Sequence, residues 1–241
     1  MNQKISVCMA TYNGSTFIKS QIESILIQIS NDDELVICDD SSTDNTVELI
    51  QSYKDSRIKL FINDVNLGHV KNFEKAICLA SGTIIALSDQ DDIWYPDRLK
   101  LMKDKLIHDE QNILVVSNFD AVDCLLTLTP FRGVTQQPMS RIARLIGIFI
   151  GKIPYFGCTF LMRKDLVALS TPFPHFVEAH DIWIGLIANT YGKTVHIEES
   201  TLKRRIHDNN LTPQKRRPIL VALKSRLVLL LIYIFHVTKH R

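Results

Sequence analysis

The sequence predicts an α/β fold in which a mixed, mainly parallel sheet is flanked by helices. Two observations support this prediction. Short runs of branched apolar residues alternate with segments of helical spacing through the first 115 residues, and Gly, Pro or helix-capping residues separate them. Runs of this length are typical of strands covered on both faces. With 241 residues, 46% of them hydrophobic, the chain can form a substantial core.

The predicted elements follow one another closely in the first half. Strands are expected at residues 5–10, 35–38, 58–62, 83–88 and 113–116. Capping residues, Gly and Pro mark where the intervening helices begin. These starts lie after residues 13–15, 41–45 and 66–68, and at Pro96. Such strand–helix–strand units join parallel strands by right-handed crossovers.

The regular alternation ends at Ser117, which divides the predicted domain, residues 1–212, into halves at 1–117 and 118–212. In the second half the pattern predicts helices at 140–150 and 181–191 and strands at 157–162, 194–197 and 202–206. Residues 213–241 are expected to form a basic, amphipathic C-terminal helix.

The net charge of +2 conceals an asymmetry along the chain. The segment from Lys203 to Arg241 contains ten Lys and Arg residues and a single acid, Asp208, so the residues before it are net acidic. A basic tail on an acidic body predicts an anionic surface as partner. Anionic lipid is the expected one, since nothing resembles an aromatic-studded nucleic-acid surface. An ordinary core helix is the alternative for the apolar run 227–235, which is too short to span a bilayer.

The five cysteines are widely spaced, with no Cys-x-x-Cys pair, as expected for buried thiols in a reducing compartment. The N-terminus enters a strand-like run and lacks the pattern of a secretion signal. We therefore expect a cytoplasmic protein, peripheral on the inner face of the cell membrane. A homo-oligomer is compatible with the sequence.

The acidic segment Asp89-Gln90-Asp91-Asp92 ends the fourth predicted strand. Crowded carboxylates repel one another unless a cation or a hydrogen-bond donor offsets their charge. Oxygen ligands on a loop suit Mg²⁺ or Mn²⁺, which completes its shell with substrate phosphate and water. The alternative is a solvated turn that caps the helix beginning at Pro96.

Two further polar loops, 11–13 and 39–41, also follow predicted strands. In a parallel sheet these strand ends share one edge, so the three loops should converge on one crevice. An aromatic ring, carboxylates and a metal loop are the groups that a nucleotide-sugar pocket needs.

The motifs in these loops resemble the inverting family 2 glycosyltransferases, which have the GT-A fold. The resembling segments are residues 7–14, 36–46, 66–68 and 87–94, which cover the first half in order. Ser88-Asp89-Gln90-Asp91-Asp92-Ile93-Trp94 resembles members described as rhamnosyltransferase-like. The resemblance implies a nucleotide-diphospho-sugar donor, UDP- or dTDP-linked, a divalent metal, and a glycan or lipid-linked acceptor in polysaccharide synthesis.

The resemblance also implies roles for individual residues. Thr11 and Tyr12 would line the base pocket, Asp40 and Asp39 would accept from the pyrimidine, Asp89 would face the ribose or diphosphate, and Asp91 would hold the metal. Asn13 and Asn72 would also contact the donor. The alternatives are that Tyr12 packs on the next helix and that Asp39 and Asp40 only cap one.

The second half is expected to supply the base and the acceptor side. In Glu178-Ala179-His180-Asp181, Asp181 corresponds to the family's general base, with Glu178 as the second choice and a helix N-cap as the alternative role. His180, Gly157 and Thr159 fall on the acceptor side, although residues 157–159 also suit a core strand. Arg205 and His207 resemble part of a Tyr-Arg-x-His-x-x-Asn element near the donor phosphates and metal, with Arg204 in place of the Tyr.

Two other functions would use the same fold. One is a sugar-phosphate nucleotidyltransferase, for which the expected N-terminal Gly-rich phosphate loop is missing. The other is a non-catalytic, membrane-docked scaffold, which the presence of both Asp91 and Asp181 disfavours. A dehydrogenase is disfavoured because no GxGxxG follows the first strand.

Overall fold

A computed structural model describes residues 3–132, 140–207, 210 and 218–239. The strands are β1 (Ile5–Thr11), β2 (Glu34–Asp39), β3 (Ile58–Ile62), β4 (Ile84–Ser88), β5 (Ile93–Trp94), β6 (Asn112–Val122), β7 (Leu128–Arg132), β8 (Phe160–Arg163) and β9 (Lys193–Arg205). The α-helices are α1 (Ile18–Leu26), α2 (Thr46–Gln51), α3 (His69–Leu79), α4 (Arg98–Ile107), α5 (Arg141–Phe149), α6 (Lys164–Ser170), α7 (His180–Tyr191) and α8 (Ile219–Lys239). A 3₁₀ turn, Gly157–Thr159, precedes β8.

One mixed sheet runs through the chain in the order β3-β2-β1-β4-β8-β6-β9-β5, with β7 paired to β6. Strands β3, β2, β1 and β4 run parallel to one another, and β6 is parallel to β9. Strand β8 runs antiparallel to both β4 and β6. The predicted mixed, mainly parallel sheet flanked by helices is therefore confirmed.

Alternate residues of the strands face two separate apolar cores. On β1, Val7 and Met9 pack with the isoleucines of α1 and with α4, whereas Cys8 packs with α3 and α7. Strand β2 divides in the same way, with Leu35 on one face and Val36 on the other. Successive strand side chains point to opposite faces, so a uniformly apolar run is expected when helices cover both.

The second half departs from the prediction in four places. Residues 157–159 form the 3₁₀ turn rather than strand, the sequence pattern indicates neither β7 nor α6, and the two predicted strands at 194–197 and 202–206 are one strand, β9. Register shifts against β6 interrupt β9 between His196 and Ser200, which is where the sequence pattern loses its alternation. A bulge bends a strand without ending it.

The predicted C-terminal helix is present as α8. Leu229, Ile232 and Tyr233 pack on the core, and the Tyr233 hydroxyl lies 2.8 Å from Thr190 Oγ1 on α7. Its other side exposes a row of large apolar residues, among them Leu227, Leu231, Ile234 and Phe235. By length and composition, α8, with a mean hydropathy of 2.0 over Leu220–Lys239, is the one helix among the described residues that could cross a membrane. The uninterrupted apolar run 227–235 is too short to do so on its own.

Glu34, at the start of β2, holds the edge of the sheet opposite the three loops. Its carboxylate accepts from Ser6 Oγ (2.6 Å), the Ser81 N–H (2.7 Å) and Lys4 Nζ (3.1 Å). Burial would raise its pKa, but these hydrogen bonds lower it to about 2. The resulting stabilisation is present above the ordinary pKa of the carboxyl and is lost as the pH falls toward 2.

Glu34→Gln is therefore expected to lower the free energy of unfolding at pH 7 by about 1–3 kcal/mol, since one pKa unit corresponds to about 1.4 kcal/mol. Urea unfolding at pH 7 and pH 3 measures this free energy. The difference in free energy between the variant and the wild type should be smaller at pH 3. Glu110→Gln, at an exposed position, is the matched control. An equal loss at both pH values would contradict the charge argument.

Candidate active site

The carboxyl ends of β1, β2 and β4 lie at one edge of the sheet, as expected for the three polar loops. Strand β9 runs parallel to β6 and ends at this edge, whereas the antiparallel β8 begins there. The edge therefore collects residues 12–17, 40–45, 89–92, 157–159 and 204–207. Crevices at this position are where open α/β sheets bind ligands.

Asn13 joins the first two loops. Its N–H donates to Ser42 Oγ (2.9 Å), and its Oδ1 accepts from the Thr43 N–H (2.8 Å). The next N–H, of Gly14, donates to Thr46 Oγ1 (2.8 Å). Asn13 has a φ of 48°, which Asn tolerates better than most residues. These bonds hold the two loops in a fixed relative position.

Thr11 and Asp39 lie beneath these loops and are fully buried. Thr11 Oγ1 donates to Asp39 Oδ2 (2.8 Å), and Ser42 donates to the same carboxylate from its N–H (2.8 Å) and hydroxyl (2.6 Å). The Asp39 carboxylate is thus engaged within the protein, where it fixes the ends of β1 and β2. Contact of these two residues with a nucleotide base stays a prediction.

Asp40 organises the loop that precedes α3. It accepts from the N–H groups of Leu67 and Gly68 and from Asn63 Nδ2, each at 2.8 Å. Asn63 also donates to Asn72 Oδ1 (3.0 Å), and Asn72 Nδ2 donates to the main chain of β2 (2.8 Å). Asn72 is 1% exposed. Asn72 is therefore buried behind Asp40, where it bonds Asn63 and the main chain of β2. Its contact with the donor stays a prediction.

Gln90, in the acidic loop, clamps the backbone of Tyr12. The Tyr12 N–H donates to Gln90 Oε1 (2.9 Å), and Gln90 Nε2 donates to the Tyr12 carbonyl (3.0 Å). The Tyr12 ring is left 47% exposed. A fixed backbone with an exposed ring is what a stacking platform for a base requires.

Gly14→Ala is expected to break this clamp, because a Cβ at Gly14 would lie 2.3 Å from Gln90 Oε1. The end of the Gln90 side chain can move, so stability should change little. Losing two hydrogen bonds should weaken nucleotide binding about 3- to 10-fold. Gln90→Ala removes the same two hydrogen bonds without the clash. Calorimetry should show the same loss of nucleotide affinity for both variants. Weakening by Gly14→Ala alone would contradict the role of the clamp.

The acidic loop has unusual electrostatics. Burial and the charge of Asp91 raise the pKa of Asp89 to about 7. Burial, Asp91 and Asp89 together raise the pKa of Asp92 well above its ordinary value. Asp92 is 1% exposed, and its Oδ2 is without a hydrogen-bond partner in the described part of the chain. Such a set favours a bound cation.

The donor atoms fit a divalent cation. Oxygens of Asp89 and Asp92 and the Cys158 Sγ all lie within 4.8 Å of one another. Burial raises the pKa of the Cys158 thiol well above its usual range, so the carboxylates are the better ligands. The two predicted metal ligands, Asp91 and His207, are brought together, with His207 Nε2 2.8 Å from Asp91 Oδ2.

Two consecutive arginines at the end of β9 point in different directions. Arg205, the predicted phosphate ligand, donates to Ser20 Oγ and to the Cys124 carbonyl (3.3 Å each), with its guanidinium over the Phe17 ring. The structure does not bring this guanidinium to the acidic loop; only its N–H reaches Asp92 Oδ1 (3.3 Å). Arg204, by contrast, lowers the pKa values of Asp89 and Asp92 by its charge.

Asp181 lies in the first turn of α7. Its carboxylate accepts from the Ile182 N–H (2.7 Å) and from the Gly157 N–H. Burial raises its pKa to about 6, against the opposing effects of these bonds and of Arg204. It is close enough to Asp89 to raise the pKa of that residue too. A carboxylate with a pKa near the working pH suits a general base.

The residues predicted for the acceptor side differ in exposure. His180 is buried, with its ring stacked on Phe73 at 4.3 Å, and burial lowers its pKa to about 3. A Cβ at Gly157 would lie 2.7 Å from His180 Nε2, so the glycine allows this packing. Thr159 is buried and donates to a backbone carbonyl (2.7 Å). Glu178 is exposed and accepts from Ser225 Oγ on α8 (3.0 Å).

Comparison with known sequences identifies the family. The Glycosyl transferase family 2 profile matches residues 6–169, more than half of the chain. The chain belongs to glycosyl transferase family 2. It is 39% identical to the dTDP-rhamnosyl transferase RfbG of Shigella flexneri over 220 residues, 84% of this chain and 72% of RfbG. It is 26% identical to the UDP-Glc:alpha-D-GlcNAc-diphosphoundecaprenol beta-1,3-glucosyltransferase WfgD of Escherichia coli over 213 residues, 88% and 80% of the two chains.

Solved structures support the fold of this family 2 member. TarS of S. aureus in complex with UDP-GlcNAc aligns with a TM-score of 0.75 at 18% identity, over 96% of this chain and 66% of that one. The mannosyltransferase PcManGT of Pyrobaculum calidifontis, in complex with GDP-Man and Mn²⁺, aligns with a TM-score of 0.65 at 19% identity, over 86% and 58%. The chain thus spans less than two thirds of these solved chains. The predicted family, enzyme class and GT-A fold are confirmed.

Sequence reasoning missed three residues that shape this family 2 site. In the sequence Gln90 is only one residue of the acidic segment, and Arg204 only a departure from a motif. Arg98, which is 1% exposed, lies under the Trp94 ring and donates to the Cys158 carbonyl (2.6 Å). A charged residue at an apolar-periodic position of α4 was the available signal for Arg98.

Proposed function

We propose that the chain is an inverting, metal-assisted glycosyltransferase that moves a sugar from a UDP- or dTDP-linked donor to a hydroxyl of a glycan or lipid-linked acceptor. The observation that carries this proposal is the position of Asp181. It is a partly buried carboxylate with a raised pKa, and it interacts electrostatically with the acidic loop. A site with a base on one side and a cation-binding loop on the other suits displacement at an anomeric carbon.

The chemistry assigns a task to each side of the site. The acceptor hydroxyl attacks the anomeric carbon from the face opposite the leaving nucleoside diphosphate, and Asp181 takes its proton as the new bond forms. The Ile182 and Gly157 N–H groups orient the Asp181 carboxylate. On the donor side, Tyr12 offers its exposed ring to the base. Proton NMR of the product tests this assignment, because an anomeric configuration opposite to that of the donor supports inversion and retention contradicts it.

The acidic loop is the proposed cation site. Asp91 and His207, beside the carboxylates of Asp89 and Asp92, would hold Mg²⁺ or Mn²⁺, and the cation would stabilise the charge that develops on the leaving diphosphate. The raised pKa of Asp89 and the orphaned Asp92 oxygen support this assignment. So does the similar fold of PcManGT, whose solved structure is a complex with GDP-Man and Mn²⁺.

The relatives support the donor and acceptor classes. RfbG is named for dTDP-rhamnosyl transfer, and WfgD for transfer from UDP-Glc to a diphosphoundecaprenol-linked sugar. A lipid-linked acceptor would require the enzyme to work at a membrane, in the assembly of cell-surface polysaccharide. We assign the chain to the cytoplasmic face of the cell membrane on this ground.

Helix α8 supplies the membrane contact in this proposal. One side packs on α5 and α7, and the other exposes Leu227, Leu231 and Phe235, which are 58%, 59% and 71% exposed. The sequence places Lys215, Arg216 and Arg217 directly before the helix. An apolar face next to basic residues is the pattern of a helix that lies on anionic lipid.

Leu231→Gln combined with Phe235→Gln is expected to weaken binding to phosphatidylglycerol vesicles by about tenfold or more, because each buried side chain contributes about 1.5–3 kcal/mol. Vesicle co-sedimentation measures it. Leu125→Gln, at an 86% exposed leucine in the β6–β7 turn, is the matched control and should bind like wild type. Equal binding by the double variant would contradict the role of this face.

A further inference from the structure

Helix α5 exposes a row of large apolar side chains. Ile142, Ile146 and Ile150, the last of which follows the helix directly, are 71%, 54% and 44% exposed. Positions four residues apart share one face of a helix, so the three isoleucines form a continuous row. The opposite side of α5 is covered, since Gly147 and Ile148 are buried. A contiguous exposed apolar row of this kind indicates an interaction surface.

Helix α8 lies beside α5 on the same face of the sheet. The Phe149 and Tyr233 rings meet edge to face at 5.2 Å, and the Arg226 guanidinium occupies the space that a Cβ at Gly151 would need. Partly buried side chains of both helices pack on one apolar core, namely Leu145, Phe149, Leu229, Ile232 and Tyr233. The exposed side chains of the two helices therefore lie on the outer side of a single layer.

The charged residues of both helices are all basic. Neither α5 nor α8 contains an Asp or Glu. Arg141, Lys152 and Lys224 are exposed near the ends of the two helices. A second copy of this chain on this surface would bring like charges together, whereas anionic lipid headgroups would offset them. The surface therefore suits an anionic bilayer better than a dimer.

We propose that α5 is a second membrane-binding helix, which together with α8 forms one surface that lies on an anionic bilayer. This rests on the membrane contact proposed for α8. A single helix would let the body rotate about the helix axis, whereas two neighbouring helices fix its orientation. Glu178, three residues before Asp181, accepts from Ser225 Oγ on α8 (3.0 Å). A fixed orientation would therefore hold the proposed base near the bilayer, where a lipid-linked acceptor lies.

Ile142→Gln combined with Ile146→Gln is expected to weaken binding to phosphatidylglycerol vesicles by about tenfold or more, because each buried side chain contributes about 1.5–3 kcal/mol. Co-sedimentation measures it. Both positions are exposed, so Tm should stay that of the wild type. Ile27→Gln, at a 74% exposed isoleucine that caps α1 on the other face of the sheet, is the matched control and should bind like wild type.

A second measurement locates α5 in the lipid. Ile146→Trp places an indole on the apolar row, and its fluorescence should be quenched by phosphatidylglycerol with brominated acyl chains. Trp94 and Trp183 are buried, and the wild type gives their background. Ile27→Trp should show no quenching beyond that background. The indole thus distinguishes insertion into lipid from a loss of binding that a change elsewhere in the protein could cause.

Three outcomes are distinguishable from success. If the wild type binds vesicles and the Ile142/Ile146 variant binds equally, or Ile146→Trp is not quenched, the role of α5 is overturned while that of α8 stands. If analytical ultracentrifugation shows a wild-type dimer that the same variant dissociates, and Ile146→Trp is not quenched, a second copy covers the row instead. If the wild type does not bind the vesicles, the proposed contact of α8 is overturned too.

Discussion

Asp181→Asn is expected to lower kcat by about 10²- to 10⁴-fold, with donor affinity unchanged, because an amide cannot take the proton of the acceptor hydroxyl. The variant should fold, since the Asn oxygen can still accept from the Ile182 N–H that now bonds Asp181 Oδ1 (2.7 Å). Initial rates at saturating donor and acceptor measure the loss, and calorimetry with the nucleotide checks donor binding.

The pH dependence of the wild type belongs to the same prediction. A base must be deprotonated to act, and the pKa of Asp181 is raised by burial to about 6. The rate should therefore rise with pH up to about 6 and then level off, and the Asn variant should lose this limb. Glu178→Gln is the discriminating comparison. If Glu178→Gln lowers kcat and Asp181→Asn does not, the base is Glu178.

Asp91→Asn is expected to weaken Mn²⁺ binding by about tenfold or more and to lower the rate of transfer by about 10²-fold or more. Asp91 is paired with His207 Nε2 at 2.8 Å and raises the pKa values of both Asp89 and Asp92. Removing its charge therefore weakens the whole acidic loop as a cation site.

Asp97→Asn is the matched control for this variant. Asp97 is exposed, lies on the same segment and has a φ of 65°, which Asn also adopts readily. It should bind Mn²⁺ and transfer sugar like wild type. Transfer by Asp91→Asn at the wild-type rate, at limiting Mn²⁺, would show that Asp91 does not hold the metal.

The fold of the first half could be predicted because its pattern is local. Each strand of β1 to β4 is a short apolar run, and each following helix has its own start signal. The insertion of antiparallel β8 between β4 and β6 could not be predicted, because it depends on pairing between segments about 75 residues apart. The predicted convergence of the three loops followed from parallel topology alone.

The site was harder to predict at the level of single atoms. Whether Arg204 or Arg205 faces the acidic loop depends on the register between β9 and β6, which shifts near His196. Thr11 and Asn72 have polar side chains suited to a ligand, yet both side chains are buried and hydrogen-bonded to other groups of the protein. Sequence motifs locate the loops, whereas hydrogen bonding within the loops decides which side chains remain open to a ligand.

The central claim is that the carboxyl edge of the sheet binds a nucleotide-diphospho-sugar together with a divalent cation. A thermal-shift screen of UDP- and dTDP-sugars with Mn²⁺ tests it most directly, with GDP-mannose as comparison and Asp91→Asn as the site control. We expect at least one UDP- or dTDP-sugar to raise Tm by about 5–10 °C at about 100 times its Kd, with the shift reduced in EDTA and in Asp91→Asn. No shift with any of these donors, or an equal shift in the variant, would contradict it.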